Sequence, residues 1–168
     1  LYHPDKSNID VFMEKLSEPQ DWILDSKKER QVREKPPTIL ITSTLQQKAH
    51  SYLRMSPKQT MKYAQELYEN GLITYMRTDS ACYSKEFLGS LEKHIKTQYG
   101  NAYISPQISS LVHNRNQKGK AQEAHEGIRV CDLTITKSQV KTQAANTLYS
   151  FIYKHTIQCA MSDAVYHE

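Results

Sequence analysis

A mainly helical fold follows from three features of this sequence. Ser43 with Gln46, Ser56 with Gln59 and Thr136 with Gln139 have capping-box spacing, in which side chains three residues apart satisfy the free N–H groups that open a helix. Pro57 stands at a first helical position, where its missing N–H is not needed. Behind these starts, apolar residues recur every three or four positions, the period of a half-buried helix.

Taken in order, residues 9 to 16 form a short amphipathic segment closed by Pro19, and Asp21 to Leu24 can start a strand running into 26–35. That charged stretch sets Lys27, Lys28, Arg30, Arg33 and Lys35 against Glu29 and Glu34. It is either a phosphate-facing strip or a solvated strand, and it has no aromatic residues for base stacking. Pro36-Pro37 ends any regular element, which divides the chain into 1–36 and 37–168. The first helix beyond it presents Leu45, Ala49 and Leu53, and the second Met61, Ala64, Leu67 and Tyr68 before a left-handed stop near Gly71. A third, from about Ser84 to Tyr99, buries Phe87, Leu88, Leu91 and Ile95. The last, from about Ser138 to Met161, carries Val140, Ala144, Leu148, Phe151, Ile152, His155 and Cys159. Between these two helices, residues 101–122 read as a polar loop. Its His113 to Lys120 stretch holds three cations and no acid, suited either to a DNA backbone or to plain solvent, as are Lys58 and Lys62 on the second helix.

Composition narrows the function only slightly. The 168 residues, 38% hydrophobic and 24% charged, suit a globular domain with a real core. A net charge of +4 permits nucleic-acid binding without requiring it. No apolar run approaches the ~18 to 20 residues of a membrane span. The first residues lack an initiator Met and a signal-peptide core, as expected of a piece of something longer. Cys82, Cys131 and Cys159 are widely spaced with no Cys-x-x-Cys, which fits a reducing interior and offers neither a zinc site nor a redox motif.

The chemistry concentrates in Gly71-Leu72-Ile73-Thr74-Tyr75-Met76-Arg77-Thr78-Asp79-Ser80. In an extended segment side chains two apart face the same way, so Tyr75 and Arg77 can address one target. A guanidinium grips phosphate oxygens bidentately and stabilises charge developing on them, which makes Tyr75 a candidate nucleophile toward a phosphodiester. A free phenol has a pKa near about 10 and needs such help at neutral pH. Asp79 is placed to orient Arg77 or a local turn. His125 and Arg129 are four apart and would share a face if Ala124 to Val130 is a helical turn. His125 can instead form a surface ion pair with Glu126, and Arg129 a structural salt bridge to Glu126 or Asp79.

Four motifs in succession, Thr42-Ser43-Thr44-Leu45-Gln46-Gln47, Thr60-Met61 through Ala64 to Glu69, the Tyr75 segment, and Ala124-His125-Glu126-Gly127-Ile128-Arg129, resemble the type IA DNA topoisomerases, in that family's order. The similarity runs from about Pro36 to Ala164, with a fainter extension back to Trp22. It implies the tyrosine-bearing domain of such an enzyme: a multi-helical, winged-helix-like unit over 37–168, with a short β remnant of the neighbouring arch in 1–36. Tyr75 would cut single-stranded DNA by transesterification, becoming joined to the 5′ phosphate and allowing strand passage and religation without a nucleotide cofactor. Tyr75, Arg77 and His125 would be catalytic, and Arg77, Arg129 and Asp79 would contact DNA. The family's Mg2+ site is built around Asp-x-Asp in a separate acidic domain. No Asp-x-Asp occurs here, so no metal is expected on this chain.

Partners implied are single-stranded DNA and the remaining domains of the parent, in cytoplasm, nucleoid or nucleus and not in a membrane; alone, the fragment would be inactive or weakly active. The alternative is a helical nucleic-acid-binding domain that has lost the reaction. Two departures stand out. Gly127 and Val130 replace the usual Ala and Pro of the family's His-Glu-Ala-Ile-Arg-Pro, and the approach Pro36 to Thr42 is unusually aliphatic.

Overall fold

A computed structural model of the chain describes residues 6–17, 26–112 and 126–168. It divides into two compact units, Leu1–Val32 with His167–Glu168, and Arg33–Tyr166. The sequence-based strand start at 21–24, Trp22, the cationic stretch 113–120 and His125 lie outside the described residues.

In the smaller unit, helix α1 (Lys6–Ser17) leaves Ile9, Phe12, Met13 and Leu16 exposed. Arg30 and Glu168 exchange two backbone hydrogen bonds of 3.0 Å and form an ion pair, Arg30 Nε to Glu168 Oε2 at 2.9 Å. Strand β1 (Gln31–Glu34) lies within the charged stretch and pairs with β2 (Ala164–His167) in a two-stranded sheet.

Four helices build the larger unit: α2 (Thr42–Leu53), α3 (Pro57–Glu69), α4 (Lys85–Gln98) and α5 (Gln143–Gln158). The sequence signals for α3 and α4 hold almost to the residue. Ser56 N donates to Gln59 Oε1 at 2.9 Å, Gln59 N donates to Ser56 Oγ at 3.3 Å, and Pro57 is the first helical residue. Ser84 caps α4 by accepting from Phe87 N, and Phe87, Leu88, Leu91 and Ile95 are buried as their spacing requires. α3 ends at Glu69, and Gly71 (φ +69) takes the left-handed conformation that an L side chain resists; Leu72 N then donates to Leu67 O.

α3 packs on α2 and α5, α2 also meets α5, and α4 rests on two short 3-10 turns at Asn101–Tyr103 and Ile108–Leu111. Leu45, Leu67, Leu148 and Ile152 are fully buried among these helices, each worth about 1.5–3 kcal/mol over exposure.

Three expectations are corrected. α2 starts at Thr42, ahead of the proposed Ser43 box, because Thr44 Oγ1 accepts from Ile41 N at 2.9 Å and sets the cap two residues earlier, at Ile41. No helix starts at Thr136 or Ser138. Asn146 Oδ1 accepts from Ser138 Oγ (2.6 Å) and Val140 N (3.1 Å) while its Nδ2 donates to Val140 O (3.0 Å), so this segment is held as a loop by a side chain of α5. Glu126 to Val130 is extended rather than helical. Leu40 and Ile128, and Ile73 and Val130, form antiparallel bridges, and Ile128 N donates to Leu40 O at 2.7 Å.

Gly127 belongs to that extended path for a steric reason. A Cβ there would lie 2.2 Å from Ile39 Cγ2 and 3.1 Å from two carbonyl oxygens. The aliphatic approach to α2 therefore fills the space an alanine methyl would take.

Candidate active site

The segment after α3 is fastened by its backbone and leaves alternate side chains free. Ile73, Met76 and Thr78 are buried, while Tyr75, Arg77 and Asp79 are exposed. Thr74 N donates to Arg129 O at 2.9 Å, and Thr74 Oγ1 donates to Gly127 O (2.8 Å) and accepts from Arg129 N (3.0 Å). On the far side of Tyr75, the first residue of α2 takes over. Thr42 N donates to Thr78 O, Thr42 Oγ1 accepts from Thr78 N, both at 2.9 Å, and the same hydroxyl donates to Met76 O at 2.8 Å. Two threonines thus hold both flanks of the tyrosine.

Tyr75 is 40% exposed, and its ring meets Tyr68 edge-on with centroids 5.2 Å apart. Tyr68, which the helical pattern assigns to the core, lies exposed at the end of α3 as the tyrosine's neighbour. Arg77 and Asp79 line a cavity of about 540 Å³ together with Thr42, Ser43 and Gln46 at the start of α2. A helix start presents free N–H groups and partial positive charge, so Arg77 stands where anions are favoured. Tyr75 is not among the residues lining that cavity.

Arg129 is placed differently. Its guanidinium carbon lies 3.7 Å from the centre of the Phe87 ring, Nε donates to Glu126 Oε2, and Nη1 donates to Val130 O at 3.0 Å. Burial alone would raise the Glu126 carboxyl, but hydrogen bonds from Arg129 and Ser84 and the Arg129 charge outweigh it and hold the carboxyl below its ordinary range. The Glu126 competitor for Arg129 is the pair that forms.

Sequence reasoning missed Thr74 and the Thr42 hydroxyl as fasteners, Tyr68 as a surface neighbour, and Ser43 and Gln46 as cavity lining. The one available signal was the threonine beside the tyrosine and the run of hydroxyl residues at the start of α2. Among the described residues no three His, Cys, Asp or Glu side chains cluster as a metal site. No helix is long and apolar enough to cross a membrane among the same residues.

The family described as DNA topoisomerase matches residues 2–168. The chain belongs to the type IA DNA topoisomerases. It is 36% identical to DNA topoisomerase 1 of Synechococcus elongatus over 162 residues, covering 95% of this chain and 18% of that protein. DNA topoisomerase 1 of Vibrio cholerae is 40% identical over 142 residues, which is 83% of this chain and 16% of that one. The structure of full-length topoisomerase I from Thermotoga maritima superposes with a TM-score of 0.70 at 27% identity, covering 94% of this chain and 26% of the other. The chain thus spans about a fifth of the length of the curated topoisomerases it matches.

Proposed function

We propose that this chain is the tyrosine-bearing, winged-helix-like part of a type IA topoisomerase and that Tyr75 cleaves single-stranded DNA. The phenolic oxygen attacks a backbone phosphorus and loses its proton. The P–O3′ bond breaks, and the departing 3′ oxygen takes up a proton as the 5′ phosphate becomes joined to Tyr75. Because the phosphotyrosine keeps the energy of the broken bond, the reverse attack by the 3′ hydroxyl reseals the strand without a nucleotide. Passage of another strand between the two steps changes DNA topology.

The observation that carries this reading is the pairing of a fastened backbone with free side chains at Tyr75, Arg77 and Asp79. A nucleophile whose main chain is held from both sides is pre-positioned, which removes orientational entropy from the barrier. Arg77 grips the phosphate and stabilises its developing charge, with Asp79 orienting it. His125 supplies hydrogen bonds or a proton near the scissile phosphate. Arg129 acts on DNA mainly through the extended segment it steadies, since Glu126 and Phe87 already occupy its guanidinium. The remaining segments of the parent, with their Mg2+, complete the site, and the setting is intracellular.

Covalent trapping tests this. A 3′-labelled single-stranded oligonucleotide is incubated with the chain completed by the other segments of a relative and Mg2+, then denatured. The label should appear on this chain, map to Tyr75 and vanish in Tyr75→Phe with DNA affinity kept. Folded components that bind DNA and give no adduct would leave a non-catalytic DNA-binding domain instead.

A further inference from the structure

On another face of the larger unit, the C-terminal half of α2 and the middle of α5 border a groove of about 710 Å³. Tyr52 and Phe151 stack across it, with ring centroids 6.1 Å apart and planes inclined by 28°. Tyr52 is 70% exposed, so the stack orders a large ring whose outer surface faces solvent. Lys48 stands one turn before Tyr52 on α2, Lys154 one turn after Phe151 on α5, and Lys35 leads into the unit beside them. Among the described residues Glu34 is the single acid lining the groove, against three lysines, so the balance there is positive. His155 lies beneath them, buried and hydrogen-bonded through Nε2 to Thr38 O at 2.9 Å.

A ring offering one face to solvent between cations on two helices matches the chemistry of an unpaired nucleic-acid strand. Bases stack on the aromatic surface whatever their sequence, and the phosphates run past the ammonium groups. A folded protein partner would call for an apolar surface depleted in lysine, which this groove is not.

We propose that this groove binds a segment of single-stranded DNA, with a base stacked on Tyr52 and the backbone passing Lys35, Lys48 and Lys154. The inference rests on the reading that the chain handles single-stranded DNA and not on the chemistry of Tyr75. The groove is a separate place from the Arg77–Asp79 cavity. The two share no lining residue, and Tyr52 follows Ser43 by nine positions, which is about half a turn around α2 after two full turns. A strand seated here is held away from the reacting phosphate.

The test uses a thymidine oligonucleotide carrying 5-iododeoxyuridine, photocrosslinked to the chain and mapped by peptide mass. Crosslinks are expected at Tyr52 or Phe151 in addition to any at Tyr75. Lys48→Glu with Lys154→Glu should weaken binding about tenfold at low salt and shrink the slope of log affinity against log salt by about 1.4, near 0.7 for each lysine. Lys154→Glu alone, at an exposed position, should give part of that loss, with circular dichroism confirming the fold. Tyr52→Ala should lose the crosslink and Tyr52→Phe should keep it, because stacking needs the ring and not the hydroxyl. Crosslinks confined to Tyr68 and Tyr75, with affinity unchanged within about twofold in the charge-reversed chain, overturn this proposal and leave the function at Tyr75 intact. Absence of all crosslinks and all affinity at low salt overturns this proposal as well, and the function at Tyr75 is then decided by the adduct formed in the completed enzyme.

Discussion

The Tyr75 segment and the extended segment it pairs with, Glu126 to Val130, divide the work of the site in opposite ways. Around Tyr75 the main chain is tied down by Thr42 and Thr74 while Tyr75, Arg77 and Asp79 remain exposed. In the partner segment the main chain is also paired, but its charged side chains are spent internally, Arg129 on Glu126 and Phe87. Two arginines near one candidate nucleophile therefore have different physical situations. Arg77 has no ion pair among the described salt bridges and lines an open cavity, whereas Arg129 is part of the packing.

The sharpest way to break this contrast is to remove each guanidinium in turn. Arg77→Ala should lower adduct formation in the completed enzyme by about 100-fold, the scale of losing one transition-state donor, and leave the urea midpoint of the isolated chain unchanged. Arg129→Ala should lower stability by about 2–3 kcal/mol, because it strands a half-buried carboxylate, and should affect the adduct only through that loss. Equal losses of activity with no change in stability would erase the distinction.

A smaller effect is expected from the close approach that shapes the partner segment. Gly127→Ala should destabilise by about 1–3 kcal/mol through the contact with Ile39 Cγ2, and Ile39→Ala, costly by itself, should make Gly127→Ala less harmful. Strict additivity in that double-mutant cycle, measured by urea unfolding, would mean that Gly127 is there for some other reason.

The smallest effect is on pH dependence. Glu126 is held below its ordinary value of 4.5 in the folded chain, so the unfolded chain takes up the proton first as pH falls. Its contribution is present above about pH 4.5 and is lost as pH drops toward and through the folded value. Burial likewise keeps the His155 imidazole below its ordinary 6.5, against a hydrogen bond to the Thr38 carbonyl that raises it and a Lys48 charge that lowers it further. That contribution is present above pH 6.5 and declines below it, in a separate window. Urea midpoints followed from about pH 7 to 3 should show two declines, with Glu126→Gln shrinking the lower, which the hydrogen-bonded Asp132 carboxyl shares, and His155→Gln removing the upper. A single decline would show that one of the two groups has the same pKa folded and unfolded.

Much of the helical framework was legible because it is local. The Ser56 and Ser84 caps, Pro57, Gly71 and the apolar spacing of α3 and α4 all act within a few residues of chain, and each appears where its chemistry requires. The failures come from competing partners that a cap or helical spacing does not reveal, some six to eight residues away and some far along the chain. Thr136 and Gln139 have the spacing of a cap, yet Asn146 takes the backbone groups around Val140 and keeps a loop there. His125-x-x-x-Arg129 has helical spacing, yet Leu40 and Ile73 draw Ile128 and Val130 into extended bridges. Tyr68 fits the buried stripe of α3 and instead stands against Tyr75.

By itself the sequence determined the helical class, the starts of α3 and α4, the family and the alternation that turns Tyr75, Arg77 and Asp79 outward. These depend on spacing of two to four residues and on motif order, which need no knowledge of what packs against what. Only the tertiary structure decided that Thr42 fastens Met76 and Thr78 from 34 and 36 residues away, that Arg129 closes on Glu126 and Phe87, and that Tyr52 and Phe151 stack beside three lysines. Hydrogen bonds, ion pairs and ring contacts are short-ranged in space and indifferent to separation along the chain, so their partners are chosen only when the helices pack.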